Sequence, residues 1–332
     1  MARIRLPIVP FCLALALAIG APLPVSAAGV AWQKIGVDAA IAKAKKEGKR
    51  VLIEFSASWC PSCKELEREV LGTAEGAALT AKLIAVQVDF DATATWRQVE
   101  RYVVLGLPTV VVIDGSGTQV GRVMGYEGKA AWLKEAQAAI KADDPMPALH
   151  KAHAARPDDG DVTLTLGQAM LERGQAAEGE RLLEGLLWAD AKGEAKAAAR
   201  GAQALFVLGR YYHRVRKQPR TARFIWRALA LGHPDSPWAS GAWWWYARAE
   251  AEIGRHAVGL KALRGRALKD PTNAAALRQW AQFVTKYEMF ASVPEVRKTL
   301  TEARDRLPES ERASIDAAVA GLDGLRKAVD KK

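Results

Sequence analysis

Residues 56–67 read SASWCPSCKELE. Two cysteines, Cys60 and Cys63, sit two residues apart behind Trp59, with Pro61 and Ser62 between them. The stretch admits three readings: a thiol–disulfide redox pair, half of a metal site, or two small core residues lying close together. Which one holds depends on what surrounds the pair and on the compartment the chain enters.

Residues 1–28 read MARIRLPIVPFCLALALAIGAPLPVSAA. Arg3 and Arg5 make a short basic start, a mostly apolar run follows, and small residues close it at Val25-Ser26-Ala27-Ala28, which is the pattern of a cleavable export signal. The alternative is a membrane anchor, but the uninterrupted apolar stretch Phe11 to Ile19 falls well short of the ~20 residues a span needs. Cleavage would remove Cys12, leaving Cys60 and Cys63 as the mature chain's cysteines. One pair provides no disulfide framework for a fold, so it must be explained locally.

At 50% hydrophobic and 26% charged residues, the 332-residue chain suits folded domains with real cores rather than disorder. Its length suggests two domains after the leader. Residues 29–145 carry 15 basic and 15 acidic side chains; residues 146–332 carry 31 and 22, a net charge of +9. The expected organisation is a leader over 1–28, a first domain over 29–145 and a second over 146–332.

In the first domain, Val51 to Phe55 is a short apolar run with β-branched residues, as expected of a buried strand. Leu66, Val70 and Leu71 recur at helical spacing within Lys64 to Leu71. Leu83 to Val88 and Thr109 to Ile113 read as further strands. Asp114-Gly115-Ser116-Gly117 is turn chemistry, so Thr118 to Met124 should return as a hairpin partner. Ala130 to Lys141 has the pattern of a closing helix. These elements predict an α/β domain with a central mixed sheet flanked by helices. Gly115-x-Gly117 lies inside a hairpin with no helix after it, which argues against a nucleotide loop. The cysteines fall where a strand ends and a helix begins. Unpaired backbone N–H groups there favour a negative charge and lower a thiol pKa. Glu54, six residues before Cys60 on the preceding strand, could take and return the proton of the second thiol if burial raises its pKa.

Phe55-x-Ala57-x-Trp59-Cys60-x-x-Cys63-Lys64 resembles the active-site segment of the thioredoxin superfamily, and Gly106-Leu107-Pro108-Thr109 resembles its cis-proline loop. Within that superfamily the module is most similar to the C-terminal periplasmic domain of DsbD-type disulfide reductases, through Cys-x-x-Cys-Lys-Glu-x-Glu, the run Val104 to Thr109, and Gly125. The resemblance covers about residues 30–141. It implies that Cys60 is an exposed nucleophile and Cys63 the resolving thiol, the two forming a redox disulfide. Pro108 would be the cis-proline beside which a bound polypeptide pairs, supported by Thr109, while Trp59 and Pro61 flank the nucleophile. Glu54 stands where most relatives carry aspartate, and its extra methylene shifts the carboxyl. Glu67 matches a second acidic position that would raise the thiol pKa, or is an exposed carboxylate on a helix face. It also implies a periplasmic location and a separate membrane electron donor.

A zinc site needs about four ligands, and the chain offers one Cys-x-x-Cys and no second pair. His150-x-x-His153 has ligand spacing but lies beyond the first domain, where a solvated helix face is the plainer reading. A structural disulfide closing so small a loop would stabilise little. Redox activity without metal or cofactor is the expectation.

From about residue 158 strand signals give way to Ala-rich amphipathic helices. Leu166-Gly167, Leu208-Gly209, Tyr246-Ala247 and Trp280-Ala281 recur at intervals of 42, 38 and 34 residues, with Gly174 and Gly254 at matching turns and Leu183, Ile225 and Leu263 on matching second helices. This resembles degenerate tetratricopeptide repeats, with an insertion between Ala189 and Gly201. Such stacks offer concave surfaces to peptides or partner proteins. Arg210, Arg214, Arg216, Lys217, Arg220, Arg223 and Arg227 fall in one helical hairpin, and Trp243-Trp244-Trp245 opens the next. The alternatives are a basic, aromatic-lined groove for an acidic or extended client, or a solvated basic face over core aromatics; the latter is favoured, with at least one of the three tryptophans outside the core. Nucleic acid is not expected as a partner.

The functional expectation is a periplasmic thiol–disulfide oxidoreductase, reducing or isomerising client disulfides, with the helices recruiting the client. A chaperone or assembly scaffold, in which the first domain is secondary, is the alternative.

Overall fold

The computed structural model describes residues 29–190, 195–239 and 241–329. The expected leader at 1–28 and residues 191–194 of the expected insertion lie outside the described residues.

The apolar run at 50–56 becomes the strand on which the sheet is built. β1 (Arg50–Ser56) has Val51, Leu52, Ile53 and Phe55 fully buried, because it lies between two neighbours with both faces covered. It pairs in parallel with β2 (Leu83–Asp89) and antiparallel with β3 (Thr109–Ile113), which pairs with β4 (Gln119–Met124). The order is β2-β1-β3-β4, so the sheet is mixed, as expected. Asp114 makes the hairpin turn, its Oδ1 accepting from the N–H groups of Ser116 at 2.8 Å and Thr118 at 2.9 Å.

Helices cover both faces. α1 (Val37–Glu47) buries Val37, Ala40 and Ala44 on the layer that also holds Ile53, Phe55, Val111 and both cysteines. On the other layer, α2 (Pro61–Leu66), extended by a π-helical turn over Glu67–Leu71, packs Leu66, Val70 and Leu71 with α5 (Lys129–Lys141) through Trp132 and Ala136. Two short helices, α3 (Ala74–Thr80) and α4 (Trp96–Arg101), complete this domain.

The rest of the described chain is helical. α6 (Met146–Ala155) leads into α7 (Gly160–Glu172), α8 (Ala176–Asp190), α9 (Ala195–Arg210), α10 (Pro219–Gly232), α11 (Ala242–Glu252), α12 (His256–Lys269), α13 (Ala274–Lys286), α14 (Val293–Arg304) and α15 (Glu309–Val329). Residues 195–201 of the expected insertion open α9. From α7 onward the helices pair as hairpins. The four successive turns each hold one residue in the left-handed region: Gly174 (φ 80°), Lys217 (φ 50°), Gly254 (φ 82°) and Glu288 (φ 50°). Leu166-Gly167, Leu208-Gly209, Tyr246-Ala247 and Trp280-Ala281 all lie on first helices of these pairs. At Gly209 the reason for a small residue is direct, since a Cβ there would stand 2.9 Å from the Trp226 ring of the partner helix.

The two domains share a core. Val103 and Leu105, from the segment after α4, are buried among Leu164, Leu171, Leu183, Leu208 and Tyr211 of α7 to α9 and the turn beyond. Val103 has φ 43°, a conformation that is strained for a β-branched residue. The Arg122 guanidinium of β4 holds that turn, donating to the carbonyls of Val103 at 3.3 Å and of Tyr102. Arg122 is itself buried and faces Glu172 of α7 at 3.4 Å. Arg173 adds a second tie, donating to the Gln119 carbonyl at 3.0 Å.

Glu172→Ala would leave the Arg122 charge buried without its counter-ion, so a loss of roughly 3 kcal/mol is expected from urea unfolding midpoints. Replacing both Arg122 and Glu172 by methionine should cost less than the sum of the single losses.

Candidate functional site

Cys60 ends the loop after β1 and caps α2. Its Sγ accepts the Cys63 N–H at 3.2 Å, Pro61 occupies the first helical position, and the Ser62 Oγ lies 3.6 Å from Cys60 Sγ. Proline is suited to that position because it lacks an N–H that would go unpaired and its φ is preset. Cys60 and Cys63 are joined by a disulfide with Cα atoms 5.3 Å apart. On reduction, the Cys60 sulfur would face the Cys63 N–H at the start of α2, an arrangement that favours the thiolate.

The expectation that Cys60 is exposed is corrected: it retains 3% of its accessible surface, as does Cys63. The physical reason is its place in the same apolar cluster as Phe55, Phe90 and Tyr102, against which Leu107 also packs. Trp59, by contrast, is 54% exposed, and its indole N–H donates to the Asp91 carboxylate. Antiparallel pairing of Phe55 with Thr109 brings the loop before β3 up to the end of β1. The Leu107–Pro108 peptide is cis, Pro108 is buried, and the Thr109 hydroxyl donates to the Gly106 carbonyl at 2.8 Å.

Behind the pair, Glu54 is buried at mid-strand. Desolvation raises its pKa to about 7, against the opposing pull of hydrogen bonds from Gln87 and Ser56 and with a further upward push from Glu67. Its hydrogen bond runs to Gln87, whose Nε2 donates to Oε2 at 2.7 Å. Gln87 and Cys63 both line a pocket of about 650 Å³ with Ser56, Lys64 and Glu67. Glu67 is exposed on its helix. Gln87 was not singled out from the sequence. A signal existed: it is the polar residue of an otherwise apolar strand core, and parallel register sets it directly opposite Glu54.

Trp243, Trp244 and Trp245 are each partly buried. The expected solvated basic face is corrected in part. Arg216, Lys217, Arg220 and Arg227 are exposed, but Arg223 pairs with the buried Glu250 at 3.2 Å. Arg210 and Arg214 turn inward toward the first domain, and the exposed Lys217 reaches it as well. Arg214 lies over the Phe90 ring at 5.1 Å and the Lys217 ammonium over Trp96 at 3.7 Å. These contacts join residues more than a hundred positions apart, and helical spacing carries no trace of them. Among the described residues no group of three or more His, Cys, Asp and Glu side chains could hold a metal, and no helix is long and apolar enough to cross a membrane.

Residues 37–140 match the family of thioredoxin-like domains. The chain is 36% identical over 115 residues to the thiol:disulfide interchange protein DsbD of Cronobacter sakazakii, covering 32% of this chain and 20% of that protein. It is 31% identical over 121 residues to DsbD of Ralstonia nicotianae, covering 34% and 20%. The chain thus spans about a fifth of the length of these curated relatives. A solved structure described as DsbH oxidoreductase is 25% identical, covering 37% of this chain and 92% of that one, with a TM-score of 0.32.

Because Glu54 binds its proton more tightly folded than the ~4.3 of an unfolded glutamate, it lowers stability as pH rises from there through about 7. Glu54→Gln should remove roughly 2–3 kcal/mol of stability loss between pH 5 and pH 8, read from urea unfolding at the two pH values. Residues 37–140 form a thioredoxin-like domain that resembles part of DsbD, with its Cys-x-x-Cys pair at a strand-to-helix junction and a helical domain following it.

Proposed function

We propose that the chain is a periplasmic thiol–disulfide oxidoreductase that reduces or isomerises disulfides in client polypeptides. The observation that carries this reading is the local geometry of the pair. Cys60 caps α2 with the Cys63 N–H directed at its sulfur, the cis-Pro108 loop lies alongside, and a carboxyl with a pKa near neutrality stands behind. The named activity of the DsbD relatives supports it.

In the reducing direction, the Cys60 thiolate attacks one sulfur of a client disulfide and the other client sulfur leaves as a thiolate, which takes up a proton. Cys63 then loses its proton and attacks Cys60 Sγ. The mixed disulfide breaks, the second client thiol is released, and the Cys60–Cys63 disulfide remains. Two electrons and two protons have passed to the client. In this reading Glu54, its carboxyl held by Gln87, accepts the Cys63 proton, and the pocket that Gln87 and Cys63 both line supports the path. A dithiol on a separate membrane protein would restore the reduced pair. The helical hairpins, read as degenerate tetratricopeptide-like repeats, position the client.

Equilibration with a dithiothreitol redox series, followed by tryptophan fluorescence, should place the pair near thioredoxin's potential of about −270 mV; a value near about −120 mV would reverse the direction, and no measurable exchange would leave a binding scaffold. Cys63→Ala should accumulate a client mixed disulfide through Cys60 on non-reducing gels. Glu54→Gln should slow release of that mixed disulfide in a chain with both cysteines by roughly 10²-fold at pH 7.

A further inference from the structure

The space between the two domains, beside Trp59, holds charges that the redox steps leave unused. Arg210 ends α9, and Arg214 follows one turn later within a π-helical turn over Tyr211–Val215. Both guanidiniums lie over the indole of Trp245 on α11, at 4.7 and 5.5 Å from the ring centroid, and Arg248 lies over the same ring at 4.9 Å. Trp226 stacks on that indole at 5.9 Å and 23°, which holds the platform in place. The first domain supplies the facing wall. Arg214 also covers Phe90, Lys217 covers Trp96, and Arg210 comes within 3.7 Å of where a Gly106 Cβ would stand, two residues before the cis-proline.

These cations have few counter-charges. Arg248 pairs with Glu252 at 3.3 Å, whereas Arg210, Arg214 and Lys217 make no ion pair among the described residues. The two acids in the wall are already engaged. Asp91 accepts the Trp59 indole N–H. Glu252 accepts from His213 at 2.9 Å, and the His213 proton sits on Nε2 because Nδ1 accepts the Trp226 N–H at 3.2 Å. Burial, with repulsion from Arg214 and Arg248, pushes Arg210 down to about 9; burial and repulsion from Arg248, against the weaker pull of Asp91, push Arg214 down to about 10, so both stay charged at neutral pH. Cation–π contact offsets part of that cost, and a carboxylate bound at Arg214, which lines the cleft, would offset more, since guanidinium donors match carboxylate geometry.

We propose that this cleft, of about 730 Å³ between Trp59 and the Trp245 platform, holds acidic side chains of a client polypeptide whose disulfide lies at Cys60. The proposal rests on the reading that the Cys60–Cys63 pair exchanges with client disulfides. An acidic segment suits the site better than a small anion for a geometric reason. The free cations are spread along the wall, from Lys217 beside Trp96 to Lys286 on α13, with aromatic rings between them. A chain carrying several carboxylates can meet them in turn. The opening at Trp59 adjoins the nucleophile, so a client held there would carry acidic residues within a few positions of its cysteine.

The test uses the full chain in its reduced form and two synthetic peptides. Each has one internal disulfide, flanked by three glutamates in one and three glutamines in the other. At low salt, the second-order rate constant for single-turnover reduction of the acidic peptide should exceed that for the neutral one by about tenfold or more, from charge-assisted hydrogen bonds, and the ratio should shrink as salt is added. In R214Q/K217Q the ratio should fall toward one. Equal rates for the two peptides in the unsubstituted chain, or a preference that survives the double substitution, would overturn the proposal. If inorganic phosphate at the peptide's own concentration and constant ionic strength abolishes the preference, the site takes small anions and the client assignment fails. Reduction of bis(2-hydroxyethyl) disulfide, which carries no charge, separates the two levels. Should that reaction be absent, the redox reading fails, and binding of the two peptides to a Cys60→Ser/Cys63→Ser chain, followed by tryptophan fluorescence, decides the cleft. Tighter binding of the acidic peptide there supports it, and equal binding overturns it.

Discussion

Arg122 sits where the two domains become one structure. Its guanidinium leaves β4, reaches the carbonyls of Tyr102 and Val103, and faces Glu172 across the boundary. A buried cation needs such partners to be tolerated at all. By holding the Tyr102–Val103 turn in a left-handed conformation that valine resists, it directs Val103 and Leu105 away from their own sheet and into the layer formed by α7, α8 and α9. Gly106 and the cis-Pro108 loop follow directly in the chain. The docking of the helical domain and the placement of the cis-proline loop therefore share one short segment, and a change in the first would be felt at the second.

That docking gives the cysteine pair two unlike surroundings. On the Glu54 side the local physics concerns a proton: a buried carboxyl with its pKa raised to about 7, with Gln87 as its partner, and a pocket lined by Gln87 and Cys63. On the Trp59 side it concerns fixed positive charge, since three guanidiniums gather on Trp245 and a lysine covers Trp96. Burial of Cys60 itself between these regions means that the disulfide is shielded from solvent. The helical domain contributes side chains to one of the two regions, so it takes part in the surroundings of the cysteine pair rather than standing apart from them.

Much of the first domain was legible because its signals are local. A β-branched run at 51–55, turn chemistry at 114–117 and helical spacing at 130–141 report on neighbours in the chain, and each became the element expected. α1, α3 and α4 were not anticipated. α3 and α4 are short, and α1 is Ala- and Lys-rich with a narrow apolar side, so periodicity alone distinguishes them poorly from loop. The helical hairpins were legible through their small-residue pairs, and Gly209 against Trp226 shows why such a residue recurs. Gln87 could have been found only by setting the two strands in register, which depends on the sheet and not on either strand.

The sequence by itself determined the cysteine spacing, the proline loop, the acid on the central strand and the alternation of paired helices, because each is a property of residues close in the chain. Tertiary structure decided which charges matter. Of seven basic residues between 210 and 227, all lie within one hairpin and look alike in the sequence; folding leaves Arg216, Arg220 and Arg227 exposed, gives Arg223 to Glu250, and sets Arg210, Arg214 and Lys217 against the thioredoxin-like domain. The reason is that a charge's energy depends on what surrounds it in space, and here those surroundings come from strands and loops more than a hundred residues away.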